Sequence, residues 1–240
     1  MTIIGDAERI DDFSPFGIGA FTTSRASGSF GLASDEPARL VMQRWRQLRD
    51  ELAPEGARLA SATQVHGSRV VVHAGGWEGW LRVDGADGHV APARGLALAV
   101  TIADCVPVFI AHPSGAVALL HSGWRGTAAR IVERGIEALA QRGFAAGELR
   151  VHLGPAICGP CYQVGADVFR QLTGRESARP AECVDLRELI AEQARAAGVR
   201  HIATSPLCTR CDNDRLYSHR AGDNGRQIAV IFAEQIPGTP

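Results

Sequence analysis

The sequence predicts an α+β fold: a single layered α/β domain over residues 1–240, with mixed β-sheets flanked by helices. Two observations carry this prediction. Short apolar runs bounded by turn residues indicate strands buried on both faces, and longer stretches with apolar residues at helical spacing indicate amphipathic helices. The chain contains no Pro/Ser-rich linker, charge run, low-complexity tract or internal repeat that would divide it into two domains.

Three strands are predicted in the middle of the chain, at residues 95–101, 106–111 and 116–120. Each is a nearly continuous apolar run, as expected of a strand that is covered on both faces. The sequence His-Pro-Ser-Gly at 112–115 predicts a tight, hairpin-like turn between the last two strands. A further strand is expected just before the turn that contains His66.

Three amphipathic helices are predicted, near residues 37–52, 127–141 and 185–197. The first follows Ser-Asp-Glu-Pro at 34–37, a good start signal for a helix. Each helix carries a stripe of apolar residues: Val41, Trp45, Leu48 and Leu52 in the first; Ala128, Ile131, Val132, Ile136 and Leu139 in the second; Leu186, Leu189, Ile190, Ala194 and Ala197 in the third.

Three residues with metal-binding side chains, His66, Cys105 and His121, lie in tight contexts marked by glycine or proline. The contexts are Thr-Gln-Val-His-Gly, Ala-Asp-Cys-Val-Pro and His-Ser-Gly-Trp-Arg-Gly. Two neutral imidazoles and one thiolate suit zinc and leave a fourth tetrahedral position open for water or substrate. Alone, His66 would be an ordinary turn histidine and Cys105 a small buried residue. As a set, the three predict a catalytic zinc site at a turn, a strand start and a strand end, where a rigid scaffold holds ligands fixed.

Polar residues beside these ligands have two interpretations each. Asp104, directly before the proposed thiolate, either caps the start of a strand or orients a histidine ligand. Gln64 lies two residues before His66, so on an extended segment both side chains face the same side. Gln64 then either hydrogen-bonds a base edge or a metal-bound water, or braces the turn.

Arg125 lies between glycines at the entry to the helix predicted near 127–141. A helix N-terminus with free backbone N–H groups attracts an anion, and a guanidinium adds a bidentate donor, so Arg125 is predicted to bind an anion rather than to be merely solvated. Arg220 and Arg226 are further candidates of the same kind. His219 lies within a motif and is expected to line the site without being a ligand. The remaining histidines are expected to be surface groups or satisfied core groups: His73, His89, His112, His152 and His201.

Four of the six cysteines form two Cys-x-x-Cys pairs, Cys158/Cys161 and Cys208/Cys211. In a cytosolic chain such pairs suggest metal or redox chemistry more than a disulfide framework. The interval between the pairs is much longer than in a zinc ribbon, which disfavours a second zinc. The alternative is four reduced thiols near one another at the rim of the site. Cys183 is expected to be a small, inert residue.

The overall charge and the N-terminal residues bear on the expected partners and compartment. Lysine and arginine total 25 and aspartate and glutamate 26, for a formal net charge of −1 at pH 7, so no global basic field recruits nucleic acid or an anionic membrane. The N-terminal residues have neither the basic nor the apolar region of a signal peptide, and no apolar run approaches the length needed to span a bilayer. We expect a cytoplasmic protein that binds neither nucleic acid nor membrane.

The motifs follow one another in the order of a known family. After the contexts of His66, Cys105 and His121 come Gly-Pro-Ala-Ile at 154–157, Tyr-Gln-Val-Gly at 162–165, Tyr-Ser-His-Arg at 217–220 and Gly-Arg at 225–226. In this series, over roughly residues 16–232, the chain resembles the YfiH family. Its members are also called laccase-domain, polyphenol oxidase or peptidoglycan-editing-factor proteins, and FAMIN is the mammalian relative. The resemblance implies a YfiH-like fold, thought similar to that of Cys–His toxin deamidases.

The resemblance also implies an activity: phosphorolysis of adenosine, inosine and methylthioadenosine, and deamination of adenosine. A small-molecule nucleoside and phosphate are the implied partners, and we expect the protein to be a monomer or weak homodimer. The bacterial branch of the family implies a further role, the clearing of wrongly built peptidoglycan precursors. Zinc is the implied cofactor, and copper could occupy the site in vitro because it outranks zinc in affinity for nitrogen and sulfur ligands. The family's N-terminal Gly-Gly-x-Ser and Asn-Leu-Gly segments correspond here to residues 22–33, which lack the Asn. Arg25 of this loop joins Gln64, Arg125 and Arg220 as an expected substrate contact.

The sequence speaks against a multicopper laccase and leaves two alternatives open. Such an oxidase needs about ten copper ligands, mostly in His-x-His pairs, whereas this chain has 8 histidines and no His-x-His. One alternative is a metal-free Cys–His hydrolase or amidase acting on peptidoglycan precursors, with Cys105 as nucleophile and His121 or His66 as base. The other is a zinc-binding module without turnover, whose site a fourth protein ligand would close.

Overall fold

The structure, a computed structural model, describes residues 3–52 and 58–234. The remaining parts of the predicted domain, residues 1–2, 53–57 and 235–240, lie outside the described residues. No helix in the described ranges is long and apolar enough to cross a bilayer.

The chain alternates strands with a smaller number of helices. The helices are α1 Ala38–Glu51, α2 Trp124–Ala128, α3 Ile131–Ala140, α4 Ala166–Thr173 and α5 Leu186–Ala196, with short 3-10 turns at Asp11–Phe16, Arg25–Ser27, Ala146–Glu148 and Gly159–Cys161. The strands are β1 Glu8–Arg9, β2 Ile18–Thr22, β3 Arg58–Ala62, β4 Val70–Val72, β5 Gly79–Val83, β6 Gly88–Ala91, β7 Leu96–Ile102, β8 Val106–Ala111, β9 Val117–Ser122, β10 Arg150–Leu153, β11 Gln163–Gly165, β12 Ala181–Cys183, β13 His201–Thr204 and β14 Gln227–Ala233.

Two six-stranded mixed sheets form the centre of the molecule. The first has the order β1-β2-β14-β7-β3-β5 and the second β13-β10-β8-β9-β6-β4, while β11 and β12 form a separate two-stranded sheet. In the first sheet β3 runs parallel to both of its neighbours. In the second, β10 is parallel to β13 and antiparallel to β8.

The two sheets pack face to face, and helices cover their outer faces. Leu98 of β7 and Phe109 of β8 share the core between the sheets. Ala99, on the opposite face of β7, lies in the core that α1 covers, because successive strand residues point to opposite faces. Ile110 of β8 lies in a third core, where α3 and α5 cover the second sheet. The layers are therefore helix, sheet, sheet, helix, and the predicted fold class is confirmed.

The central strands were predicted correctly. The observed β7, β8 and β9 match the three predicted runs to within one or two residues and are buried along almost their whole length. The predicted turn joins β8 to β9 and is closed by a hydrogen bond of 2.8 Å from the backbone N–H of His112 to the oxygen of Ala116. The strand expected before His66 is β3.

The first and third predicted helices are α1 and α5, and Asp185 caps α5 by accepting a hydrogen bond of 2.9 Å from the N–H of Arg187.

The prediction of one helix near residues 127–141 is wrong, because two helices occupy this stretch. The first, α2, starts earlier than predicted, and Arg130 adopts a left-handed conformation with φ of 59° before α3 begins. α2 lies against the bend that contains His66: a Cβ at Gly126 would come within 3.0 Å of the oxygen of Gly67. α3 instead packs on the second sheet. The break at Arg130 lets neighbouring segments pack on these two different surfaces.

Candidate active site

His66, Cys105 and His121, here called the ligand triple, meet at one place beside the two sheets. Cys105 directly precedes β8, and His121 lies near the end of β9. These strands are antiparallel neighbours with Pro107 opposite His121, so both side chains reach the same end of the second sheet. His66 lies in the bend after β3 of the first sheet. The three ligand atoms are within 4.8 Å of one another, and the imidazole ring centroids are 4.9 Å apart.

A buried carboxylate, Asp87, joins two members of the triple, and the sequence analysis missed it. Its Oδ1 accepts hydrogen bonds from Nδ1 of His121 at 2.8 Å and from the backbone N–H of His66 at 2.9 Å. Its Oδ2 accepts a bond of 2.7 Å from the N–H of Gly67. The bond to His121 holds the proton on Nδ1 and leaves Nε2 for a metal. The available signal was an aspartate next to glycine directly before a buried strand, in Gly-Ala-Asp-Gly at 85–88.

The charges of these groups depend on one another. Burial raises the pKa of Asp87, but hydrogen bonds from His121 and the backbone of Gly67 outweigh it and lower the pKa. Burial raises the pKa of the Cys105 thiol, yet His121 and His66 outweigh it and bring the pKa down to about 6. Burial lowers the pKa of His121, whereas Cys105 and Asp87 raise it, and the result is about 9. At neutral pH the metal-free triple therefore pairs a Cys105 thiolate, the form of cysteine that binds zinc, with a protonated His121, whose Nε2 proton a bound metal would displace.

The backbone around the triple is strained and closely packed. His66 has a left-handed φ of 58°, a conformation that costs energy for a residue with a side chain and that occurs often at functional sites. The backbone hydrogen bonds to Asp87 hold it there. Gly123 faces the triple: a Cβ at this position would lie 2.8 Å from Sγ of Cys105 and 3.5 Å from Cδ2 of His66. A side chain at Gly123 would therefore occupy the space that the ligands need.

Asp104 performs neither of the two tasks expected of it. Its Oδ1 accepts a hydrogen bond of 2.6 Å from Oγ1 of Thr209, and its Oδ2 accepts one of 2.7 Å from the backbone N–H of Arg220. Both partners belong to the connection between β13 and β14, residues 205–226. Asp104 therefore anchors this connection next to Cys105.

Gln64 and Arg25, two predicted substrate contacts, are engaged within the protein. Nε2 of Gln64 donates to the oxygen of Thr101 at 2.8 Å, and its Oε1 accepts from the N–H of Thr101 at 2.8 Å. These bonds support the bracing interpretation, since the side chain ties the segment after β3 to β7. Arg25 donates to Oδ2 of Asp223 at 2.6 Å. Contact of Gln64 or Arg25 with a substrate stays a prediction.

Arg125 and Arg220, the predicted anion-binding residues, both lie near Tyr162. Arg125 is exposed and stacks its guanidinium 4.3 Å from the ring centroid of Trp124, and this guanidinium makes no hydrogen bond or ion pair with the described residues. The guanidinium of Arg220 lies 5.1 Å from the ring centroid of Tyr162. Burial and the neighbouring Cys105 raise the pKa of Tyr162 to about 12, whereas both arginines act to lower it. Two cations and the thiolate of the ligand triple thus act on one ring. Arg226, by contrast, donates to the oxygen of its neighbour Gly225 at 2.7 Å.

The expectation that the remaining histidines are surface groups or satisfied core groups is wrong at two positions, His89 and His152. His89 is fully buried and shares a hydrogen bond of 2.9 Å with His73, but its Nε2 has no hydrogen-bond partner among the described residues. Neither ring nitrogen of the half-buried His152 has a hydrogen-bond partner among the described residues, although its Nδ1 lies 3.8 Å from Oδ2 of Asp12. Burial lowers the pKa of both imidazoles, that of His89 to about 3, so both are neutral at pH 7. His201 and His219 are exposed.

The four cysteines of the two Cys-x-x-Cys pairs also lie together. All four are free thiols, and their sulfur atoms are within 4.8 Å of one another. This proximity is common to the two interpretations of the pairs, a second metal site and four neighbouring reduced thiols at the rim of the site. Cys183 is exposed and lies outside this group.

Comparison with known proteins agrees with the fold and with the family resemblance of the motif series. Residues 18–234 match the family described as multi-copper polyphenol oxidoreductase laccase. The purine nucleoside phosphorylase ORF3 of Streptomyces griseus is 32% identical over 211 residues, which cover 85% of each chain. The adenosine deaminase RL5 of an unknown prokaryotic organism is 32% identical over 165 residues, 62% of this chain and 63% of that protein. The crystal structure of the Bacillus licheniformis protein YfiH superposes with a TM-score of 0.86 at 24% identity, covering 95% of this chain and 97% of that one.

Proposed function

The chain belongs to the family described as multi-copper polyphenol oxidoreductase laccase, and we propose that it is a zinc-dependent purine nucleoside enzyme. It would cleave adenosine, inosine and methylthioadenosine with phosphate to the free base and ribose 1-phosphate, and deaminate adenosine to inosine and ammonia. The observation that carries the proposal is the ligand triple together with the guanidinium of Arg125, which has no polar partner among the described residues. The relatives named purine nucleoside phosphorylase and adenosine deaminase support an enzyme of the nucleoside-processing kind.

The donor set of the triple fits zinc. It offers one thiolate and two imidazoles, and the bond from His121 to Asp87 is the kind of support that orients a metal-bound histidine. No fourth Cys, His, Asp or Glu ligand joins the three in the part of the chain that the structure describes. This supports an open, catalytic site over a closed zinc-binding module. When bound, zinc would supply Lewis-acid activation of water for attack at C6 of adenine.

The chain's own residues would orient the ligands and bind phosphate. Asp87 keeps the Nδ1 proton on His121 and holds the bend of His66, so both ligands are fixed before substrate arrives. The guanidinium of Arg125, which has no polar partner among the described residues, would donate to one phosphate oxygen while another phosphate oxygen bonds to C1′ of the ribose and the bond from C1′ to the base breaks.

A copper oxidase reaction is a poor fit to this chain despite the family's name. The described residues gather two metal-ligand groups, one with two histidines and one with none. The bridged copper centres of a multicopper oxidase need many more imidazoles than that. Copper bound at the triple in vitro would reflect its high affinity for nitrogen and sulfur ligands.

We propose further that the enzyme works in the cytoplasm as a monomer or weak homodimer, on small-molecule nucleoside and phosphate. Five of its six cysteines lie in the ligand triple or in the four-cysteine group, and all are free thiols. A reducing compartment keeps such thiols available as ligands.

The test measures two products with and without phosphate. Inosine has no exocyclic amine, so hypoxanthine release from it should require phosphate, whereas ammonia release from adenosine should proceed without phosphate. His66→Ala, Cys105→Ala and His121→Ala should each lose the zinc of the ligand triple and both activities, because both reactions need the intact triple. Cys183→Ala, which removes an exposed thiol outside the triple, is the matched control and should keep both.

Two results would contradict the proposal. A variant of the triple that loses one activity and keeps the other at full rate would mean two sites or a contaminating enzyme. Full activity after removal of the metal would favour the alternative, a Cys–His hydrolase or amidase with Cys105 as nucleophile.

A further inference from the structure

We propose that Cys158, Cys161, Cys208 and Cys211, the four-cysteine cluster, bind a second zinc ion with a structural role. The cluster shares no residue with the ligand triple, so this proposal stands apart from the nucleoside chemistry. Its four sulfurs are within 4.8 Å of one another, and those of Cys161 and Cys211 are 3.5 Å apart. Zinc–sulfur bonds of about 2.3 Å in a tetrahedron separate the sulfurs by about 3.8 Å. The cluster therefore has the dimensions of a site for one tetrahedral metal ion.

The sheet explains how two pairs far apart in sequence come together. β10 and β13 are parallel neighbours, with Leu153 opposite Thr204, so both strands end at the same edge of the second sheet. The pair that starts at Cys158 follows β10 by a few residues, and the pair that starts at Cys208 follows β13 by a few residues. The alignment continues beyond the strands, where Ala156 forms an isolated parallel bridge with Cys208. The long interval that disfavoured a zinc site in the sequence is thus bridged by strand pairing.

The backbone around Cys208 is arranged as it is around a metal-bound thiolate. Its sulfur accepts hydrogen bonds from the N–H of Cys158 at 3.3 Å and from the N–H of Cys211 at 3.4 Å. N–H donors of this kind stabilise the negative charge of thiolate ligands. The Cys208 backbone is itself held, since its N–H donates to Oδ2 of Asp212 at 2.9 Å.

Other uses of four cysteines fit the distances less well. A disulfide needs sulfurs about 2.05 Å apart, whereas all four cysteines are free thiols and the sulfurs of Cys161 and Cys211 are 3.5 Å apart. An iron–sulfur cluster holds its cysteine sulfurs farther apart than one ion does, because several irons and sulfides lie between them. Four thiolates around one point select a soft, tetrahedral ion, for which zinc is the usual choice.

A structural zinc would fasten the connection of residues 205–226, which has no helix or strand along its described length. Irregular connections of this length are uncommon in compact domains unless something holds them. This one carries Thr209 and Arg220, which bond to Asp104 beside Cys105. A metal cross-link from Cys208 and Cys211 to the segment after β10 would stabilise the folded connection.

The test counts zinc by elemental analysis on protein produced in medium with equal zinc and iron. The wild-type chain and Cys183→Ser, a matched control at an exposed thiol outside the cluster, should hold two zinc ions per chain. The double variant Cys161→Ser/Cys211→Ser and the single variant Cys105→Ser should each hold one zinc ion. A variant that combines all three substitutions should hold none. Cobalt-loaded Cys105→Ser should show the intense visible absorption of a tetrahedral all-thiolate centre, a readout independent of activity.

A measurement on the wild-type protein covers the case in which the double variant does not fold. A thiol reagent applied to the folded, zinc-loaded chain should leave the four cluster cysteines unmodified while it labels Cys183, and mass mapping assigns the labels. Full labelling of the cluster, iron in place of zinc, disulfides within the cluster, or a wild-type stoichiometry of one zinc that Cys105→Ser removes would each overturn the proposal. That last result would leave the proposed nucleoside function, and the zinc of the ligand triple, unaffected.

Discussion

The Oδ1 atom of Asp87 lies 2.8 Å from Nδ1 of His121, and both side chains are almost completely buried. The same carboxylate accepts bonds from the backbone at His66 and Gly67. One buried charge therefore sets the orientation of one ligand and the backbone position of another. This makes Asp87 the positioning residue of the triple, since it acts through the ligands and is not a ligand itself.

Asp87→Asn is expected to weaken zinc binding at the triple by about 10- to 100-fold, the usual range for loss of a partner of a metal-bound histidine. The amide holds His121 and the bend of His66 less firmly than a carboxylate. The measurement is zinc affinity by competition with a chelator dye, together with both turnover rates. Asp84→Asn is the control, because Asp84 is an exposed carboxylate in the same connection before β6 as Asp87. Unchanged zinc affinity in Asp87→Asn would show that the bond to His121 has no positioning role.

Gly123→Ala is expected to lower zinc occupancy of the triple and both activities, because the new Cβ would lie 2.8 Å from Sγ of Cys105. Gly165→Ala is a closely matched control. Both glycines are N-cap residues with negative φ, −83° at Gly123 and −70° at Gly165, and a Cβ at Gly165 meets nothing within 4 Å. The prediction fails if the two variants bind zinc equally well.

Arg125→Ala is expected to weaken phosphate-dependent cleavage of inosine by roughly 1–3 kcal/mol in kcat/KM, the scale for losing a charge-assisted hydrogen bond. Zinc content and ammonia release from adenosine should not change, since Arg125 is outside the triple. Arg134→Ala, which removes an exposed arginine from α3, serves as the control. A dependence of rate on phosphate concentration equal to that of the wild type would refute the assignment of Arg125 to the anion.

Asp223→Asn is expected to lower the free energy of unfolding at pH 7 by about 1–2 kcal/mol, the scale of hydrogen bonds to a charged group that is partly exposed. Burial raises the pKa of Asp223, but bonds from Arg25 and the N–H of Ser218 outweigh it and lower the pKa below its ordinary 3.8. The unfolded chain therefore takes up a proton first as pH falls. The stabilisation is complete above the unfolded pKa and is lost as pH drops through the folded pKa.

Urea unfolding of the wild type and of Asp223→Asn across this acid range checks the sign. The difference in unfolding free energy should shrink as pH falls, and a difference that grows toward acid pH would contradict the prediction. Asp167→Asn is the control, because the Asp167 side chain is 86% exposed in its ion pair with Arg170 and should contribute little at any pH.

The sequence by itself determined the local elements and the residue types of the ligand triple. The periodicity of β7, β8, β9, α1 and α5 depends on neighbouring residues, so it is visible without a structure. The Gly and Pro contexts of His66, Cys105 and His121 are local as well, and the ordered motif series to which they belong singled out these three. The helix near 127–141 was predicted less well, because the break at Arg130 reflects the two surfaces on which α2 and α3 pack.

Only the tertiary structure decided which distant residues support the triple. Asp87 meets His121 because β6 and β9 pair in the second sheet, Gln64 meets Thr101 beside paired β3 and β7, and the four-cysteine cluster assembles because β10 and β13 are parallel neighbours. Strand patterns specify which face a residue occupies but not which strand lies beside it. Partners that depend on strand order therefore emerge only when the two sheets are assembled.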